Sequence, residues 1–173
     1  MGRASLIPSV FLLLCVTVAP APGQQQPAQP TPEQQMISRL RYQWQALFLA
    51  SVANARSHGQ TRAAFGASLG KLFAPSWPKD LTPQGLARGM HSNIRLVGLE
   101  AELLEDTPEQ AVVRFSRPDS AQFYTTYGSQ GATLADWDET LKGLVEQIAA
   151  EHGLVWDQRR DGNSMVAKVT RRR

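Results

Sequence analysis

The chain predicts an α+β domain: N-terminal helices, then hairpin, helix and hairpin, with the two hairpins forming a four-stranded antiparallel sheet covered by helices. Three observations predict it. Apolar residues between Thr31 and Met90 recur at helical spacing behind threonine caps. The period then changes to two between Ile94 and Ser116. A long helical stripe after Thr133 leads into a second pair of strand-like runs around Asp161-Gly162.

Ahead of the domain, Met1–Gly23 reads as a secretory signal peptide. Arg3 supplies the positive charge, Leu6–Ala19 the apolar run, and Ala21 and Gly23 the small residues before cleavage. A membrane anchor would need about 18 apolar residues in a row, and this run is shorter and carries Pro8. A lipoprotein would use Cys15, but Leu14 before it is not small. Residues 24–31 are rich in Gln and Pro and read as a disordered leash. The domain spans residues 32–173, long enough for one core without staples. Cys15 is the only cysteine, so the mature chain would have no disulfide, thiol nucleophile or Cys-ligated metal. An exported domain without cysteine fits a bacterial envelope, periplasmic or secreted, with no transmembrane segment after signal cleavage. The net charge of +3 and the tail Arg171-Arg172-Arg173 do not imply nucleic acid, because no aromatic residues interleave with the basic ones.

The elements follow in order. Thr31, Pro32 and Gln34 give a capping-box start, and Met36, Leu40, Trp44, Leu47, Phe48 and Val52 form the stripe of a first helix ended by Gly59. A second helix starts at Thr61 with Phe65, Leu69, Leu72 and Phe73 on one face. Pro75 and Pro78 bracket Trp77 in a loop, and Thr82-Pro83 opens a short third helix through Leu86, Ala87 and Met90. Ile94–Leu104 alternates as a half-buried strand, Asp106-Thr107-Pro108 turns, and Gln110–Ser116 returns with Ala111, Val113 and Phe115 inward. Ser120–Tyr127 is a short helix or an irregular segment. Thr133 caps a long helix whose buried stripe is Leu134, Trp137, Leu141, Leu144, Val145 and Ile148, with Trp137 and Leu144 facing the sheet. Leu154–Arg160 and Asn163–Thr170 close the chain as a hairpin turned at Asp161-Gly162.

From Ile94 to Thr170 this order resembles the small-molecule-binding domains of the vinyl-reductase type and relatives near the aminothiazoline-carboxylate hydrolases. The residues that carry the resemblance are Phe123 and Tyr127, then Glu151-His152-Gly153-Leu154-Val155-Trp156, then Asp161-Gly162. Domains of that type often carry cysteine and histidine pairs, which this chain lacks, so no catalytic residue is carried over. The resemblance implies a helix-over-sheet pocket for a small apolar or amphipathic ligand.

Chemistry-bearing motifs are few. His58, His91 and His152 each fall near an expected helix C-terminus, where an imidazolium meets unsatisfied carbonyls, and no HxxxH or HExxH spacing offers a metal site. No metal and no cofactor is expected. Gly66-Ala67-Ser68-Leu69-Gly70 has the letters of a nucleophile elbow, but it lies inside an expected helix rather than between strand and helix. Gly66 and Gly70 read instead as sites of close helix packing. Asp136, Asp138 and Glu139 suit the start of a helix, and Glu100 and Glu102 share a solvated strand face. Trp44, Trp137 and Trp156 sit on apolar stripes and read as core.

A ligand site is expected from Trp77, His91, Asn93, Arg95, Tyr124 and Tyr127, at the junction of the third helix, the first strand and the Phe123–Tyr127 segment. These residues come from loops or element ends, where scaffolds place binding groups. Arg95 offers a fork for a carboxylate or phosphate ester. The expected function is thus a bacterial envelope domain that binds a small molecule or a protein partner without catalysis. The alternatives are a hydrolase or isomerase using His91 or a buried carboxylate, and a structural or accessory interaction protein. N-terminal mass spectrometry of exported material should find Gln24 first; a lipidated Cys15 peptide would overturn that reading.

Overall fold

The computed structural model describes residues 29–118, 131 and 133–173. Among them are α1 (Pro32–Ser57), α2 (Arg62–Phe73), a 3-10 turn (Ala74–Ser76), α3 (Pro83–Leu96), β1 (Ala101–Asp106), β2 (Gln110–Ser116), α4 (Leu134–Glu151), β3 (Leu154–Asp161) and β4 (Ser164–Arg171). The Met1–Gly23 signal and the Ser120–Tyr127 segment lie outside the described residues.

All four helices start as the sequence predicts, at a threonine in extended conformation. Thr31, Thr61, Thr82 and Thr133 each accept a hydrogen bond from the backbone N–H three residues on, which satisfies one of the donors a helix start leaves open. Thr31 and Thr133 complete capping boxes with Gln34 and Asp136.

The strands form one antiparallel sheet in the order β1-β2-β4-β3, so the two hairpins join edge to edge. Phe115 pairs with Met165, Val113 with Ala167 and Ala111 with Val169. These residues, with Leu154 and Trp156 of β3, make the inner face. Leu86, Ala87, Met90 and Ile94 of α3 and Val145, Ile148 and Ala149 of α4 cover it. Gln158 continues the inward series of β3, and its Oε1 accepts from Trp156 Nε1 at 3.0 Å, so the buried amide oxygen is satisfied. On the outer face Arg114 reaches Glu102 at 4.0 Å and Asp161 at 3.6 Å.

Ile94–Leu96 belong to α3, not to the first strand: Ile94 sits four residues after Met90 on the same buried stripe. Gly98, at φ 90°, then lets the chain turn before β1. His91 therefore lies within α3 rather than at its end, whereas His58 and His152 are C-caps as expected. The second hairpin turns one residue later than expected. Asp161 pairs with Ser164, leaving Gly162 and Asn163 as the loop, with Gly162 at φ 60° as in a type II′ turn.

The first helix departs most. It packs through Leu49, Val52 and Ala55, whereas Met36, Leu40, Trp44 and Leu47 of the predicted stripe are 64%, 58%, 47% and 68% exposed. The stripe lies beside the packed face, and no described element covers its N-terminal half. Trp137 does not face the sheet either. Trp137 meets the rings of Trp44 and Phe48 on α1 at 6.2 and 5.4 Å; Leu144 packs at the margin of the main core while its backbone meets α2.

The α2–α4 contact has the close approach that Gly66 and Gly70 predict. A Cβ on Gly66 would run into Thr140 O and stand 2.9 Å from Leu144 N, and one on Gly70 would run into Leu144 O. Gly143 of α4 answers with its own bare Cα against Ala63. The obstacles are backbone atoms and cannot swing aside. Gly66→Ala should lower stability by about 1–3 kcal/mol through overpacking, although alanine is the better helix former. Ser68→Ala, on the exposed face, should change little. Denaturant melts that rank the two variants equally would refute the close contact.

Candidate functional site

The packing of α2 through its glycine face settles where its aromatic face goes. Gly66 and Gly70 point at α4, so Phe65, Leu69 and Phe73 turn to one side. There they meet α1, α3 and the loop after the 3-10 turn around a groove of about 580 Å³. Trp137, Leu141, Leu144 and Ile148 of α4 form its floor, and Trp44, Leu47, Phe48 and Ser51 the α1 wall. Met90, Asn93, Ile94, Leu96 and Val97 form the wall opposite, and Trp77 and Pro78 close one end. Its volume falls within the range of small-molecule pockets. Only Ser51, Ser76 and Asn93 bring polar side chains, and no charged side chain lines it. No residue of the sheet lines it, so the groove lies among helices rather than between helix and sheet.

Trp77 is held in place by a glycine. Its ring lies on Gly89 of α3, where an added Cβ would come within 2.5 Å of Cη2. The Cζ3–Cη2 edge of the indole is thus pinned against the helix, and the ring closes the groove there. At the other end, α1 crosses the C-terminus of α3. Arg41 Nε donates to Leu96 O and Gln45 Nε2 to Val97 O, both at 2.9 Å, which satisfies carbonyls that a helix end leaves open. The apolar surface continues out of the groove along α1 through Leu40, Ile37 and Met36.

The structure divides the residues expected to form a site. Trp77 and Asn93 line the groove. His91 and Arg95 do not: on the helical wheel they fall with Gln84 and Arg88, on the flank of α3 turned to β1. That flank is closed by Asp106, whose carboxylate takes Arg88 Nε at 3.0 and 3.1 Å while its carbonyl accepts from Gln84. A bulge between Leu103 and Glu105 brings Asp106 to this side of β1. The Arg88 hydrogen bonds, with its charge and the Gln84 hydrogen bond, outweigh desolvation and hold the Asp106 carboxyl below its ordinary range. Arg95 pairs with neither Glu100 nor Glu102 among the described residues. Tyr124 and Tyr127 lie outside the described residues.

Sequence reasoning assigned Phe65, Leu69, Leu141 and Leu144 to buried stripes and so missed them as lining. The signal was present in α2: an apolar stripe and an i, i+4 glycine pair cannot both face one neighbour. Ser68 sits within α2, its hydroxyl donating to Ala64 O at 3.0 Å, as the helical reading of the Gly-Ala-Ser-Leu-Gly segment expects.

Asp136 fixes the helices around the groove. Its side chain is 2% exposed and takes Arg62 Nε at 2.7 Å and Arg56 Nη1 at 3.1 Å, besides the N–H and hydroxyl of Thr133. One carboxylate therefore caps α4 and ties it to α1 and α2. Burial works to raise the Asp136 carboxyl, but the Arg62 and Thr133 hydrogen bonds and the Arg62 charge outweigh it and hold the group below the usual aspartate range. Its stabilisation is therefore present above the unfolded aspartate value, near pH 4, and is lost as pH falls through the lower folded value.

No family of known proteins, no curated protein and no solved structure matches this chain.

Asp136→Asn should cost about 1–3 kcal/mol at pH 7, less than a fully buried pair because both arginines remain partly hydrated. The difference from wild type should shrink below pH 4. A gap in melting temperature that stays constant from pH 7 to pH 3 would refute this role.

Proposed function

We propose that this is an exported bacterial envelope domain that binds a small apolar molecule in the groove among α1, α2, α3 and α4. The observation that carries the reading is the lining: a continuous apolar wall with three polar side chains, pinned by Trp77 on Gly89 and by the Trp44–Phe48–Trp137 cluster. Such a surface left open to water loses hydrophobic stabilisation of roughly 25 cal/mol per Å² until something covers it. Few polar groups and no charged side chain in the wall suit binding better than acid–base chemistry, which needs a titratable group within reach of the reacting atoms. Export rests on the Met1–Gly23 leader and on a mature chain without cysteine. Among the described residues no helix is long and apolar enough to cross a membrane.

An uncharged naphthylamine dye should gain fluorescence on binding the purified domain. Leu69→Trp, which fills the groove from the α2 wall, should abolish that gain while leaving the melting temperature within a few degrees. Equal dye binding by both proteins would overturn the assignment of the site.

A further inference from the structure

We propose that the groove takes a single-chain anionic amphiphile, a long-chain carboxylate whose head is held by Arg41 at the α1–α3 end; this rests on reading the groove as a ligand site. The geometry at that end carries the inference. Arg41 is committed through Nε alone, to Leu96 O at 2.9 Å. Its stem lies against Gly98, where a Cβ would stand 3.1 Å from Arg41 Cδ. The guanidinium is therefore positioned on one side, while its two Nη groups have no hydrogen-bond partner among the described residues. Leu96 and Val97, whose carbonyls Arg41 and Gln45 cap, form the adjoining end of the groove wall. A planar fork with its outer donors open suits a carboxylate.

The surroundings favour the same sign. From Pro32 to Leu96 the only acids are Glu33 and Asp80, against eight basic residues, and neither acid lines the groove. Of the arginines in that stretch, Arg56 and Arg62 are taken by Asp136 and Arg88 by Asp106. Arg41 sits beside the groove and is in no ion pair among the described residues. Beyond it the walls carry no charge, so the rest of the ligand must be apolar. The chain would run from Arg41 past Asn93 toward Phe73 and Trp77, and its length sets how much wall it covers.

Three of the four tryptophans, Trp44, Trp77 and Trp137, line the groove, so intrinsic fluorescence reports directly on occupancy. The test titrates the purified domain with dodecanoate and decanoate, each below its critical micelle concentration, and with dodecanol below its solubility limit, and repeats the series with Arg41→Gln. Expected are quenching by 12-bromododecanoate, affinity rising about fourfold per added CH₂, and dodecanol at least about tenfold weaker than dodecanoate. Arg41→Gln should lose that preference yet bind dodecanol as wild type does, which also shows that the variant is folded. Equal affinity for acid and alcohol in wild type would overturn the head-group assignment and leave the apolar site standing. Failure of every chain to bind would overturn both. Sedimentation of the free domain as a dimer that Leu47→Glu dissociates would assign the groove to a second copy instead and refute the proposal.

Discussion

The distance between α2 and α4 governs the rest of the helical half. Backbone meets backbone where Gly66 and Gly70 face Thr140 and Leu144, and Gly143 returns the contact against Ala63. Helices that close leave no room for side chains between them, so the large residues of both must go elsewhere. On α2 they go to one flank, as Phe65, Leu69 and Phe73; on α4 they go to the same flank, as Trp137, Leu141 and Leu144. The groove is what forms when two helices pack through their small faces and present their large faces to a third direction. The approach has a cost. Thr140 Oγ1 is buried there without a hydrogen-bond partner in the described residues, a loss of about 1–3 kcal/mol.

That arrangement needs α1 and α2 held against the start of α4, and Asp136 does this. A residue at the third helical position is called for by the cap on Thr133 alone. Its second oxygen, free of the cap, takes Arg62 and Arg56, which come from the N-terminus of α2 and the C-terminus of α1. The short connection between those helices brings both guanidiniums to one point. A local capping residue thereby becomes a long-range fastener, and the aromatic cluster of Trp44, Phe48 and Trp137 follows one residue further along α4.

Element type and order were legible because they rest on local chemistry: four threonine caps, a change of period after α3, a glycine closing α4 at Gly153 and the Gly162 turn of the second hairpin. What was not legible was which apolar stripe meets which neighbour. Met36, Leu40, Trp44 and Leu47 carry the same periodic signal whether buried or exposed, and periodicity records amphipathicity rather than contact. The end of α3 at Leu96 is ambiguous in the sequence because Ile94 fits either period. Asp106 reaches Arg88 only through the bulge after Leu103, a backbone irregularity that no side-chain pattern announces. Of the expected site, Trp77 and Asn93 come to the groove while His91 and Arg95 turn to β1, since residues two apart on a helix point to nearly opposite sides.

The remaining question is why so much apolar surface stays open. Contiguous exposed apolar surface marks places that something else covers, and on a free domain it invites self-association. The charge distribution opposes one form of it. The stretch of α1 to α3 carries an excess of positive charge, and most of the acids lie in α4 and in the sheet with its connections. Two copies meeting groove to groove would therefore bring like charges together, at a cost that grows as salt is lowered. An anionic occupant meets the opposite field. The same basic residues that keep grooves apart raise the local concentration of a negatively charged chain, and the apolar walls retain it once it arrives. Burial supplies the affinity and the field supplies the sign.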